Sequence, residues 1–217
     1  MKFYFDGCSF TYGGELKRKC GVNPEDVRWS RLVCDHFGAE EINLSCGGAA
    51  NDTIMRHLFD KTPDEVYDFY FFQTTYPRRQ EFYDTIHKKW NRFKFIEDID
   101  KNPLFYKKYV KRWGLVETKK FEEWIKFGYK KIYSDQYAKT KENITYNALK
   151  SYVASVGREK KTFFSTLLRP RQTDNKYDLY LHMESKFFDR IPNDGHPNIK
   201  GHKTIANYVI DFVSERL

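Results

Sequence analysis

Apolar residues along this chain fall into short runs separated by polar loops, and the spacing within the runs changes from strand-like to helical and back. Residues 2–5 (KFYF) form a short apolar run that predicts a buried strand ending at Asp6-Gly7. A polar loop through Asn23-Pro24-Glu25-Asp26 follows, and residues 27–37 (VRWSRLVCDHF) carry apolar side chains at helical spacing. Residues 41–45 (EINLS) predict a second strand running out at Gly47-Gly48, and Asn51 is placed to cap a helix through about residue 60. Residues 68–75 (DFYFFQTT) are the clearest strand, aromatic and almost uninterrupted, as expected of a central one. Residues 163–168 (FFSTLL) predict a fourth strand. Residues 199–217 predict an amphipathic helix with Ile205, Val209, Phe212 and Val213 on one face.

Strands that alternate with helices predict an α/β sandwich with a mainly parallel sheet. Ligands of such sheets bind beyond the carboxyl ends of the strands. Ser9, Gly48 and the segment 73–75 all fall at predicted strand ends. One segment departs from the alternation. Residues 86–132 are rich in Lys, Trp, Phe and Tyr, with 14 Lys/Arg against 6 Asp/Glu. Their excess of positive charge equals that of the whole chain. The segment predicts a helical insertion between the third and fourth strands, too short to form a domain of its own.

At 217 residues the chain suits a single domain, and its 18% aromatic and 40% hydrophobic content predicts a packed core. The net charge of +8 favours anionic partners such as nucleic acid, polysaccharide or a membrane surface without choosing among them. The four cysteines, Cys8, Cys20, Cys34 and Cys46, form no C-x-x-C pair, which argues against a zinc ribbon. They read as reduced, buried thiols, with Cys8 and Cys46 flanking two candidate active-site segments. The N-terminal residues lack the features of a signal peptide, and no run of about 20 apolar residues is present. A cytoplasmic protein is the expectation.

The residues that can carry chemistry lie at opposite ends of the sequence. Ser9 sits in Asp6-Gly7-Cys8-Ser9-Phe10-Thr11 at the exit of the first strand. A serine hydroxyl needs a base within hydrogen-bond reach before it acts as a nucleophile. His196 lies in Asn193-Asp194-Gly195-His196-Pro197-Asn198, a loop just before the last helix, where Asp194 is placed to orient and offset an imidazolium. An oxyanion requires N–H donors. The backbone of Ser9 and that of Gly48 are the candidates, with glycine at 48 keeping the approach uncrowded. His202 reads as a helix-face residue supporting the loop.

These blocks, with Asn43-Leu44-Ser45-Cys46-Gly47-Gly48 and Gly201-His202, resemble those of the SGNH (GDSL-type) hydrolase superfamily. The stretch from Gln73 to Glu81 (QTTYPRRQE) is similar to a third block of its phage- and virus-type relatives. The resemblance covers the chain from Lys2 onward except the insertion. It implies a three-layer α/β/α, flavodoxin-like fold and ester hydrolysis with no metal or organic cofactor. Carried over by position, Ser9 is nucleophile and first oxyanion donor, Gly48 the second donor, His196 the base and Asp194 its partner. Three positions depart from the family pattern. The third block lacks its usual asparagine, and Gln73 or Thr75 is the candidate replacement, with Asn51 a poorer one. The family's Asp-x-x-His spacing would put Asn193 at the acid position, and Asp194 is favoured over it because only a carboxylate offsets the ring's charge. Cys8 stands where an acidic residue usually precedes the serine.

The expected activity is removal of a small acyl group, such as acetyl, from a carbohydrate or other alcohol, with O-acyl transfer a close variant. The alternative is a degenerate binding protein whose basic aromatic insertion holds nucleic acid or an anionic glycan. The insertion also reads as a plain amphipathic flap or as a lid over a carbohydrate. Arg79 is expected to pair with Glu81 or to grip an anionic substrate, with Asn51 a second candidate substrate contact.

Overall fold

The computed structural model describes residues 1–61, 65–95, 103–169, 173, 176–182 and 185–217. Strand β1 (Lys2–Asp6) leads through a four-residue helical turn, α1 (Ser9–Tyr12), a π-helical turn (Leu16–Cys20) and α2 (Pro24–Val27) into α3 (Trp29–Phe37). Then come β2 (Glu40–Asn43), α4 (Asn51–Lys61) and β3 (Phe69–Thr74). Strands β4 (Arg79–Asp84) and β5 (Lys89–Lys94), helices α5 (Pro103–Trp113) and α6 (Leu115–Phe127), a second π-helical turn (Gly128–Ile132), helix α7 (Asp135–Ser155), a 3-10 turn (Glu159–Lys161), strands β6 (Thr162–Thr166) and β7 (Leu179–Tyr180) and helix α8 (Ile199–Ser214) follow. Five strands form one sheet in the order β2-β1-β3-β6-β7, every neighbouring pair parallel.

Side chains alternate across a strand, and here both faces are apolar. Phe3, Phe5, Phe69, Phe71 and Phe163 face one way and pack with Trp29 and Val33 of α3 and Ile205, Val209 and Val213 of α8. Tyr4, Tyr70, Phe72 and Phe164 face the other way, against Ile54 and Leu58 of α4 and Leu149 and Val153 of α7. The result is the expected three-layer α/β/α sandwich. Among the described residues no helix is long and apolar enough to cross a membrane.

Several elements differ from the sequence expectation. The helix expected over 27–37 is interrupted at Arg28, whose extended backbone (ψ 148°) ends α2 and starts α3. The third expected strand is followed by an antiparallel hairpin, β4–β5, so the insertion is only partly helical. Helical spacing in residues 86–94 is outweighed there by Asp84, whose Oδ1 accepts from the N–H groups of Ile86 and His87 and closes the hairpin turn. Phe93, Phe95, Tyr109, Trp113, Phe121, Ile125 and Tyr129 give the insertion a core cluster of its own. Residues 96–102 of that segment lie outside the described residues. Helix α7, with 21 residues, has no counterpart in the sequence-based assignment.

Candidate active site

Strand order reverses its direction of growth at β1 and β3, so the crevice at their carboxyl ends is the place where an open α/β sheet receives ligands. Ser9 follows β1 and Thr75 follows β3 at that edge. The turn carrying Ser9 is fixed from below by Gln73. Its buried Oε1 accepts from the Cys8 N–H at 3.3 Å and from the Thr11 hydroxyl at 2.9 Å. Asp6, also buried, accepts from the Gly7 N–H at 2.7 Å and faces His57 Nδ1 at 3.0 Å. Burial pushes the Asp6 carboxyl above its ordinary value, against the opposing pull of His57.

The loop before α8 brings the other half. Asn198 caps α8 by accepting from the Gly201 N–H at 2.9 Å. Its own N–H donates to Asp189 O at 3.1 Å, and the Ile191 N–H donates to His196 O at 2.8 Å. Gly201 is required by packing, since a Cβ there would lie 2.0 Å from Asp189 O. So clamped, the loop presents His196 half-buried, with Nε2 2.8 Å from Ser9 Oγ across 187 positions of sequence. Nδ1 faces Asp194 Oδ1 at close range. Burial by itself would raise the Asp194 carboxyl, but the hydrogen bond and charge of His196 outweigh it and hold it below the usual carboxylate value. Asn193 makes no hydrogen bond to the ring among the described residues. It occupies a left-handed position (φ 59°), which asparagine tolerates better than most residues.

The remaining expected residues divide sharply. The N–H groups of Ser9 and Gly48 make no internal hydrogen bond among the described residues. Gly48 takes a left-handed backbone (φ 73°), which by itself favours glycine, and a Cβ added there would meet no protein atom within 4 Å. Gln73 and Thr75 are both buried, at 1% and 0% exposure. The Gln73 carbonyl braces the Ser9 turn, and Thr75 Oγ1 accepts from Arg79 Nη1 at 2.8 Å, so neither side chain opens onto the crevice. Asn51 is neither a cap nor a surface contact. It is buried, its Oδ1 accepting from the Thr75 N–H at 2.7 Å and its Nδ2 donating to Glu142 at 3.0 Å. Arg79 is not paired with Glu81, which is held by both Nε and Nη2 of Arg56 on α4. Arg79 lies instead against Thr75 and the carbonyl of Ala49 at 3.4 Å, half-exposed beside the Gly48 turn.

Cys8 is fully buried with its thiol toward Gln73 Oε1 at 3.4 Å, out of reach of a substrate. Cys46 pairs its N–H with Gly7 O at 3.2 Å, which brings the two cysteine segments side by side, and its thiol accepts from Arg92 at 2.6 Å. His202 is buried with Nδ1 accepting from the Trp29 N–H, so it supports α3. The sequence reading passed over Glu142, whose carboxylate accepts from Thr74 at 2.9 Å, from Asn51 and, at close range, from Tyr177. Burial raises its pKa. Its signal was available in Ser134, which accepts from the Tyr137 N–H as N-cap, and in Thr145, Leu149 and Val153 at helical spacing. Among the described residues no group of three or more His, Cys, Asp or Glu converges as a metal site.

No family model matches the sequence, and no curated protein matches it. Solved structures do. The psychrotrophic esterase EstA from Pseudoalteromonas sp., inhibited by monoethylphosphonate, is similar over 100% of this chain and 98% of its own, at 11% identity and a TM-score of 0.51. A member of the lipolytic protein G-D-S-L family from Veillonella parvula DSM 2008 is similar over 100% of both chains, at 9% identity and a TM-score of 0.46.

Proposed function

We propose that this chain, which has the SGNH/GDSL hydrolase fold, is a serine ester hydrolase that removes a small acyl group, such as acetyl, from a carbohydrate or other alcohol. The observation that carries this reading is the 2.8 Å contact between Ser9 Oγ and His196 Nε2, with Asp194 on the far side of the ring. A neutral imidazole that donates Nδ1–H to Asp194 leaves Nε2 free to accept the serine proton.

Ser9 Oγ attacks the ester carbonyl as its proton passes to His196 Nε2. Asp194 stabilises the imidazolium. The oxyanion takes hydrogen bonds from the N–H groups of Ser9 and Gly48. The buried Gln73 and Thr75 serve as braces in this scheme, and the third donor is the Arg79 guanidinium, which Thr75 and Ala49 hold beside the Gly48 turn. The alcohol leaves with the proton from His196, and water activated by the same ring hydrolyses the acyl-enzyme. An acceptor alcohol in place of that water gives acyl transfer by the same residues.

A fluorophosphonate probe together with p-nitrophenyl acetate tests the reading. Wild type is expected to be labelled and to hydrolyse the ester, and Ser9→Ala to do neither. A folded wild type that takes no label rejects it, and salt-sensitive binding to nucleic acid by that unlabelled protein would support the degenerate alternative.

A further inference from the structure

The insertion carries an open, cleft-like cavity that the proposed chemistry does not use. It measures about 650 Å³ and lies between the β4–β5 turn and the facing ends of α5 and α6. That size is in the range of small-molecule sites, about 300–1,000 Å³. Phe82, Trp113 and Phe121 line it, with ring centroids 5.9, 5.4 and 5.2 Å apart pairwise. The indole is locked in place, because Trp113 Nε1 donates to Asp84 Oδ2 at 3.0 Å. A rigid aromatic wall of this kind costs little entropy on binding.

The charged groups around the wall cancel. Arg112 lies 2.7 Å from Asp84, and Lys120 lies 2.7 Å from Glu117. A strongly basic segment thus has a charge-balanced pocket, in which two carboxylates oppose a phosphate backbone. One polar side chain is left partly unmatched. Arg112 Nε and Nη2 are buried and make no hydrogen bond among the described residues; Nη2 has the Asp84 carboxylate as its ion-pair partner, whereas Nε has none, on a side chain only 9% exposed that lines the cavity. A buried donor without an acceptor costs stability, and a ligand that supplies one recovers it.

From the aromatic wall, the cancelled charge and the orphaned donor we infer that this cavity binds a neutral carbohydrate chain. The C–H face of a sugar packs on Trp113 and Phe121, and a hydroxyl or ring oxygen accepts from Arg112 Nε. The hairpin that builds the cavity starts at Arg79, beside the proposed oxyanion donors. Its six-residue strand spans roughly 20 Å at about 3.3 Å per residue. A ligand that reached both places would therefore be a polymer. This last step, that the bound chain is also the ester substrate, rests on the esterase reading, whereas sugar binding itself does not.

The full-length Ser9→Ala protein tests the site by affinity electrophoresis through gels containing hydroxyethyl cellulose, arabinoxylan, galactomannan or mixed-linkage β-glucan. At least one polymer is expected to retard it. Trp113→Ala and the milder Phe121→Leu should weaken retardation, by at least about tenfold for the loss of the tryptophan anchor. Melting curves establish that the variants are folded. In an otherwise wild-type protein, Trp113→Ala should leave hydrolysis of p-nitrophenyl acetate unchanged and lower kcat/KM on the acetylated form of the retarding polymer. Absence of retardation by all four polymers overturns the inference, as does retardation that persists in both folded variants. So does binding to single-stranded DNA that the same substitutions remove. If the chain proves not to be an esterase while Trp113-dependent retardation remains, the sugar site stands and only its link to the ester falls.

Discussion

The backbone N–H of Trp29 donates to Nδ1 of His202 at 3.2 Å, joining the first residue of α3 to the first turn of α8. This bond requires an unprotonated Nδ1. Burial, and secondarily the nearby His196, push the His202 pKa down to about 3. The unfolded chain takes up that proton near the ordinary value of about 6.5. Stability from neutral His202 is therefore complete above about pH 6.5 and is lost as pH falls toward 3. The slope is on the order of 1 kcal/mol per pH unit. In His202→Asn, the amide oxygen still accepts from Trp29 but does not titrate. Thermal melting at pH 7 and pH 5 should show a smaller loss in the variant than in wild type. Equal losses would reject the assignment.

Asp194 and Asn193 are separable by substitution. Asp194→Asn is expected to lower kcat by about 10⁴, the loss known for a neutralised triad acid. Asn193→Gly, which keeps the left-handed backbone, should remain near wild type. The reverse pattern in steady-state assays would move the acid to position 193.

Gly201→Ala brings a Cβ to 2.0 Å from Asp189 O. Overpacking of this kind costs about 1–3 kcal/mol, and relief displaces the loop that holds His196. Both a lower Tm and a lower kcat on p-nitrophenyl acetate are expected well below the melting range. No change in either would show that the loop is not fixed by this contact.

Arg79 has two possible roles that kinetics distinguish. As an oxyanion donor, its loss in Arg79→Ala should reduce kcat about 100-fold or more on a neutral ester with KM little altered. A rise in KM confined to anionic esters would assign it to substrate capture instead.

Asn51→Ala removes two buried hydrogen bonds at once, those to the Thr75 N–H and to Glu142. A loss of about 1–3 kcal/mol in urea unfolding is expected for groups left unpaired. Unchanged stability would mean that water reaches this network.

How far the sequence disclosed these features follows from how local each signal is. The strands β1 and β3 announce themselves because their residues are apolar on both faces, and α8 because its apolar stripe is clean. The β4–β5 hairpin was hidden because its turn depends on one carboxylate, Asp84, accepting backbone N–H groups two and three residues ahead. Lysines and aromatics at mixed spacing masked the alternation of its strands. Ser9, Gly48, Asp194 and His196 were visible as residues in recognisable blocks. The burial of Gln73, Thr75 and Asn51 was not, because Gln73 is covered by the turn after β1, Asn51 by Glu142 of α7, and Thr75 by Asn51 and Arg79. The partner of Glu81 was misjudged for a similar reason. A neighbour two residues away suggested itself, whereas Arg56 approaches from another layer.

The separation of Ser9 from His196 has a bearing on biosynthesis. The serine is translated 187 positions before the imidazole it meets. Until the segment through Asn198 is released and α8 has docked on α3, no nascent fragment contains the assembled pair. On the esterase reading, hydrolysis by this pair has to wait until α8 is made and docked, a delay set by connectivity alone.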